Sequence, residues 1–388
     1  MVLSVIIVNY NAKYFLEQCL CSLSKALDCI DQKFPGQGSE IILIDNHSTD
    51  SSFEFIRNRF SGMKFLSNTE NLGFSKANNQ GLNQARGKYV LFLNPDTIIP
   101  EEGLAECITH FEENPETGAI GVRMIDGSGE YLKESKRGFP SPWAALCKIL
   151  GLTVIFPRSR LFAKYYLGHL SEDENSRIDV LSGAFLMVRT DILSGIGGFD
   201  EQFFMYGEDI DLSYRIRKAG FYNYYLASTC IIHFKGESTI KDHQYNQQFY
   251  RAMRLFVQKH FTSAGSPFLN PLLNISIWMA ARANRLTNLF SFARTSGAKK
   301  QIRSYLNGMT GNMERIKQAL ISSGRQLVGE MTASNEVVFL QGEGHSYQHI
   351  IRQMQILVKK YSFRIHGEGS QSIVGSDSKN ERGESISI

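Results

Sequence analysis

An open α/β sheet with crossover helices is the fold class this sequence predicts, and three observations predict it. Short apolar runs alternate with helical patterns through roughly the first 235 residues. Several of those runs stop abruptly at polar residues, as strands do when their carboxyl ends form a ligand-binding rim. The chain of 388 residues is 43% hydrophobic and 21% charged, enough for a large core and an appended unit.

The strands follow in order as "LSVIIV" (3–8), "EIILID" (40–45), "MKFLS" (63–67), "KYVLFL" (88–93), "AIGVRMI" (119–125), "GAFLMV" (183–188) and "YYLASTCII" (224–232). "VNYN" follows the first, "DNHSTD" ends the second and "NPDT" follows the fourth. Pro95 cannot donate to a ladder, so it helps end its strand and leaves Asn94 and Asp96 at the rim. Asp45 closes a buried-looking strand, where a carboxylate could accept from ribose hydroxyls or a base N–H, although "DNHSTDSS" is also a helix-capping sequence. In "NLGFSKANNQGL" (71–82), Gly73 allows close backbone approach and the amides of Asn78 and Asn79 could face a ligand. "GEDIDLSYRIRKAG" (207–220) reads as a helix: Leu212, Ile216 and Ala219 recur at helical spacing, basic residues load its end, and Gly220 stops it. Its first turn crowds Glu208, Asp209 and Asp211 behind Phe199, Phe203, Phe204 and Tyr206. Acids complement a helix N-terminus, but shielded acids need partners or a task.

Residues 143–165 break the alternation with an apolar stretch followed by Arg158, Arg160 and Lys164, and read as an insertion. From Lys241 to Arg303 ten lysines and arginines face one acid, Asp242. Within that basic, helical region "NPLLNISIWMAARANRLTNLF" suits either a membrane interface or packing on the neighbouring domain. From about 333 a strand, a helix and a strand recur in "EVVFL", "SYQHIIRQMQILVKK" and "SFRIH", followed by a polar tail expected to be mobile. The glycines of "QGEGHS" and "HGEGSQ" read as turns.

A formal charge of +4 is mild and selects no partner class. Six cysteines without paired spacing favour a reducing compartment, with the cytosol as default. "MVLSVIIVNYN" reads as a strand rather than a signal peptide, and no uncharged apolar stretch reaches spanning length. Neither a G-x-G-x-x-G after the first strand nor a P-loop occurs, which weakens dinucleotide enzymes and P-loop NTPases.

Taken together and in order, "SVIIVNYN", "DNHSTD", "NLGFSKANNQG", "LNPDT", "LSGAFLMVR" and "GGFDEQFFMYGEDIDLSYRIRKAG" resemble the family 2 glycosyltransferases, and more closely their bacterial rhamnosyltransferase-like members. The resemblance runs from residue 3 to about 240. It implies a GT-A (nucleotide-diphospho-sugar transferase) fold, a mixed α/β sheet flanked by helices, over residues 1–240, with 126–180 as an acceptor-side insertion. A basic helical region, 241–330, and a small α/β appendage, 333–388, would follow. It implies an inverting hexosyltransferase of polysaccharide and cell-envelope biosynthesis, with rhamnose from dTDP-rhamnose or a hexose from a UDP donor, and a glycan or lipid-linked saccharide as acceptor. The nucleotide sugar falls to Asn9, Asn11, Asp45, Asn46, Gly73, Asn78, Asn94 and Asp96. A divalent cation, Mg2+ or Mn2+, falls to Asp96 and His233, since the family's Asp-x-Asp here reads Asn94-Pro95-Asp96. Asp209 becomes the base that deprotonates the acceptor hydroxyl, Glu208 a contact to acceptor or sugar hydroxyls, and Asp211 a structural residue. Cysteine usage makes the cytoplasm the default, the basic helical stretch could add peripheral contact at the inner face of the membrane, and that stretch carries no recognition module that would imply a nucleic-acid partner. A nucleotidyltransferase would need a basic triphosphate loop where "NYNAKYF" offers only Lys13. A non-catalytic sugar-binding scaffold is the other alternative.

Overall fold

The computed structural model describes residues 1–235, 243–261, 301–378 and 382–388. The apolar runs become β1 (Leu3–Asn9), β2 (Ser39–Asp45), β3 (Lys64–Ser67) and β4 (Tyr89–Leu93), joined by α1 (Lys13–Lys33), α2 (Ser52–Arg59) and α3 (Phe74–Leu82). These four strands pair in parallel in the order β3-β2-β1-β4. Beyond β4 come β5 (Thr97–Ile98), α4 (Gly103–Glu113), β6 (Thr117–Ile125), the short helices α5 (Pro142–Ile149) and α6 (Leu152–Ile155), β7 (Ser176–Ile178), β8 (Phe185–Arg189), α7 (Thr190–Ile196), α8 (Glu208–Lys218) and β9 (Tyr222–His233). β8 adds antiparallel to β4, and β6, β9 and β5 continue the sheet, with β7 pairing β9. β5 and β7 are two and three residues long, too short for an apolar period to reveal them.

Both faces of the sheet are covered, which is why its strands read as continuous apolar runs rather than alternating ones. Val5, Ile7, Leu91 and Leu93 pack under Leu16 and Leu20 of α1 and Ile108 of α4. Ile6, Ile44, Val90 and Phe92 face the other way, in the cluster with Ala77 of α3 and Leu212 and Ile216 of α8. The register sets the rim: Asn9 lies opposite Asp45, and Ile7 opposite Leu93, so β1, β2 and β4 release their polar ends along one edge.

α9 (His243–Phe261) docks on α8 through Ala252, Phe256 and Val257 against Phe203 and Ile210. The membrane-interface expectation for "NPLLNISIWMAARANRLTNLF" lies outside the described residues. Among the described residues, no helix is long and apolar enough to cross a membrane.

A second sheet, ordered β11-β10-β12-β13-β14-β15, comprises β10 (Arg303–Asn307), β11 (Gln326–Leu327), β12 (Glu336–Leu340), β13 (Ser362–His366), β14 (Ser372–Gly375) and β15 (Glu384–Ser387), with α10 (Met313–Ser322) and α11 (Tyr347–Ile356). It therefore takes in residues from Arg303 onward, where the sequence reading ran the helical region to 330 and began the appendage at 333. The polar tail forms β15, held antiparallel to β14, where mobility was expected. A strand this short with two serines and a glutamate carries no pattern of its own, and its partner decides its conformation. This unit shares a core with the first sheet: Val337, Phe339, Ile350 and Phe363 meet Phe15, Ile98, Ile232 and Phe234.

Candidate active site

The β1 and β2 ends form a buried polar network. Asn9 Nδ2 donates to Asp45 Oδ1 at 3.2 Å, Ser48 Oγ at 3.0 Å and Ser52 Oγ at 2.7 Å, and Asp45 Oδ2 accepts from the Ser48 N–H at 3.1 Å. The capping function read from "DNHSTDSS" belongs to another acid: Asp50 accepts from the backbone N–H of Ser52 and of Lys13. Asn11 sits at φ 54°, a left-handed conformation that asparagine tolerates, and its Oδ1 accepts from the Thr49 N–H at 2.7 Å.

Asn46, next to Asp45, holds the following loop. Its Oδ1 accepts from Asn68 Nδ2 at 3.1 Å and the Leu72 N–H at 3.0 Å, while its Nδ2 donates to Asn71 Oδ1 at 2.9 Å. The loop turns at Gly73, φ 80°, where a Cβ would lie 2.5 Å from the Phe204 carbonyl oxygen; no other residue fits there. Asn78 is placed differently from the sequence expectation. It is buried on α3 and donates to the Phe74 carbonyl at 2.9 Å, an i to i−4 bond within its helix.

One cleft of about 360 Å³ gathers Asn46, Gly73, Asn94, Glu208, Asp209 and His233 along its walls. Asp96 stands directly behind it. The antiparallel pair of β5 and β9 sets Thr97 opposite His233, and the Phe234 N–H donates to the Asp96 carbonyl at 3.0 Å. That pairing brings His233 Nε2 to 3.3 Å from Asp96 Oδ1 and 3.3 Å from Asn94 Nδ2. Asn9, Asp45, Asn11 and Asn78 do not line this cleft; the first three support its rim from beneath.

On the facing wall, Tyr206 at φ 68° and Gly207 at φ 83° turn the chain sharply into α8, so that Glu208 and Asp209 occupy its first turn and open into the cleft. A side chain on Gly207 would press on Ala252 and Phe203. Asp209 Oδ2 accepts from Arg137 Nη2 at 2.5 Å and from the Gly183 N–H at 3.2 Å. Burial alone would lower the Arg137 pKa, but Asp209 and Tyr165 more than offset it and hold the guanidinium well above its ordinary value. Glu208 is buried, and among the described residues its Oε2 has no hydrogen-bond partner. Burial first, and the Asp209 charge second, push its pKa up to about 8, so it carries a proton at neutral pH. Asp211 is fully buried among Arg215, Lys259 and His260, each within 2.8 Å, and anchors α9 to α8.

Sequence reasoning missed Arg137, Tyr165, Tyr166 and the Glu134 and Lys235 ion pair, all of which line the cleft. Lys235 alone had a signal, two residues after His233. Arg137 meets its partner 72 positions away across an insertion that carries no motif.

Residues 4–194 match the model of the glycosyl transferase family 2. The N-acetylglucosaminyl-diphospho-decaprenol L-rhamnosyltransferase of Mycobacterium tuberculosis is 30% identical over 252 residues, covering 62% of this chain and 78% of the relative. This chain is a family 2 glycosyltransferase. The rhamnosyltransferase WbbL of Escherichia coli K12 is 24% identical over 267 residues, covering 66% of this family 2 chain and 90% of the relative. Among solved structures, Staphylococcus aureus TarS 1–349 in complex with UDP-GlcNAc aligns with a TM-score of 0.46 at 20% identity, over 76% of this chain and 75% of that one. The mannosyltransferase of Pyrobaculum calidifontis in complex with GDP-Man and Mn2+ aligns with a TM-score of 0.46 at 15% identity, over 76% of each chain. As a glycosyltransferase the enzyme moves a glycosyl group onto an acceptor. Among the described residues no group of three or more His, Cys, Asp and Glu side chains is gathered as a metal cage.

Proposed function

We propose that this glycosyltransferase transfers a hexose, rhamnose from a dTDP donor being the leading candidate, onto a hydroxyl of a glycan or lipid-linked saccharide, with inversion at the anomeric carbon. The relatives named rhamnosyltransferases support the sugar, and the diphospho-decaprenol in one of those names supports a lipid-linked acceptor. One observation carries the mechanism: Asp209 and the Asn94 and His233 side chains line the same cleft, with Asp96 against His233.

The donor's nucleotide lies along the β1 and β2 rim, where Asn46 and Gly73 form the wall and Asn9, Asn11 and Asp45 brace it. The diphosphate points toward Asn94 and Asp96. Asp96 Oδ1 and His233 Nε2, 3.3 Å apart, are oxygen and imidazole donors that would hold a divalent cation such as Mg2+ or Mn2+, with phosphate oxygens and water as its further ligands. When bound there, the cation neutralises charge on the departing diphosphate. Asp209, held in place by Arg137 and the Gly183 N–H, takes the proton from the acceptor hydroxyl as its oxygen bonds to the anomeric carbon, and the bond from that carbon to the diphosphate oxygen breaks on the opposite side. Glu208, protonated at neutral pH, donates a hydrogen bond to a sugar or acceptor oxygen. The membrane's inner face is where a lipid-linked acceptor would be met.

Asp209→Asn keeps the shape and removes the base. Release of nucleoside diphosphate in the presence of acceptor falls by about 10²- to 10⁴-fold while donor affinity, read by calorimetry, stays within about twofold. Unchanged turnover in this variant removes Asp209 from the mechanism.

A further inference from the structure

The insertion leaves a face that the chemistry of the cleft does not use. Trp143, Leu150, Val154, Ile155, Phe156 and Leu161 are 41%, 59%, 80%, 65%, 48% and 56% exposed. Contacts join Trp143, Phe156 and Leu161 of this set, with Val154 and Ile155 next to Phe156 in the chain. Trp143 donates its indole N–H to the Leu161 carbonyl at 2.9 Å, and the Trp143 and Phe156 rings lie 6.3 Å and 5.4 Å from the ring of Phe162. Three consecutive large apolar residues, 154–156, facing water are unusual on a protein that acts alone in solution.

The charge around this face identifies its partner. From Gly138 to Ser171 the sequence holds no acid, and Arg158, Arg160 and Lys164 of this stretch are exposed, Glu172 and Asp173 entering only at its far end beside Arg158. A second copy seated on the same face about a twofold axis would set these like charges against one another. An anionic lipid surface satisfies both features, taking the apolar side chains among its acyl chains and the bases among its headgroups. The same segment then runs directly into the cleft, where Tyr165 and Tyr166 form part of the wall.

We propose that the apolar, acid-free knuckle of α5, α6 and the loop to Leu161 docks the enzyme on an anionic membrane with the mouth of the cleft beside the lipid. The proposal rests on exposed residues and requires no assignment of donor or base.

Full-length protein is sedimented with phosphatidylcholine vesicles and with vesicles of about one-third phosphatidylglycerol. The wild type binds the anionic vesicles and binds the neutral ones less. Val154→Glu/Ile155→Glu lowers partitioning at least about tenfold, and Arg158→Gln/Arg160→Gln removes the anionic preference. Both double variants keep the wild-type melting temperature, because the altered side chains lie outside the core, and they keep turnover on a water-soluble acceptor. A wild type that ignores vesicles overturns the proposal. So does an undiminished Val154→Glu/Ile155→Glu variant, which would move the contact to another surface. Sedimentation velocity showing a dimer that the same variant dissolves also overturns it, in favour of a second copy.

Discussion

The two walls of the cleft are built from different chemistry. On the β1 and β2 side the cleft is lined by neutral amides, Asn46 bonded to Asn71 and held by Asn68, with Asn9 and one acid, Asp45, bonded to each other beneath them. The opposite wall is made of ions in pairs, Arg137 with Asp209 and Lys235 with Glu134, beside the buried carboxyl of Glu208. Neutral networks cost little when a ligand arrives, because nothing must give up a counter-ion. Paired ions store a choice, since either partner can be redirected to a substrate group at the expense of the other. The amide wall is a shaped receptacle, and the ionic wall is where protons and charge are handled.

That contrast is most exposed to failure at Arg137. Arg137→Met strands a largely buried carboxylate and is expected to cost about 3–5 kcal/mol in urea unfolding, while adding Asp209→Asn restores most of the loss. A strictly additive double variant would mean that the pair does not act as a unit. Asp96→Ala comes next: donor and cation affinities fall together, each by tenfold or more, and normal calorimetric affinity for both would detach Asp96 and His233 from the diphosphate. On the neutral wall Asn46→Ala should cost about 1–3 kcal/mol by leaving the Asn68 and Leu72 donors unmet, with the KM for donor rising more than kcat falls. A larger effect on kcat than on KM would blur the distinction between the walls.

The smallest effect sharpens the ionic side. The Glu208 pKa is raised from 4.5 to about 8 by burial and by Asp209, so the folded protein binds this proton more tightly than the unfolded chain does. Its contribution to stability is complete below the unfolded value near 4.5 and is lost as pH rises through about 8. Glu208→Gln has no proton to lose. The melting temperature of the variant relative to wild type should therefore increase between about pH 5 and pH 9. A difference independent of pH would show that burial does not perturb Glu208.

The neutral wall was legible in the sequence because each of its parts is local. A strand's apolar run, a polar residue at its end and a glycine at a forced turn all fall within a few positions, and parallel pairing aligns them without further information. The ionic wall was half legible. Glu208 and Asp209 show as acids too many for a helix cap. Arg137, Tyr165 and Tyr166 left no trace, since their meaning depends on a contact across an insertion with no periodicity. Asn78 misled for the complementary reason. An amide in a motif looks like a ligand contact, yet on a short helix it can satisfy its own backbone. β15 was hidden because a polar segment becomes a strand only when an edge is offered to it.

The join between the two sheets has a practical consequence. Gln18 of α1 is buried, donates to Ser370 Oγ and the Ser372 carbonyl at 2.8 Å each, and accepts from the Gly367 N–H at 2.8 Å. Glu17 accepts from Ser372 Oγ at 2.6 Å. Chain-shortened versions that stop near residue 300 would bare Phe15, Ile98, Ile232 and Phe234 to solvent at about 1.5–3 kcal/mol apiece and strip Gln18 of its partners, leaving Glu17 to Arg59 alone. Anyone seeking a smaller version of this enzyme by trimming should begin elsewhere, for the second sheet is the underside of the helix that follows its first strand.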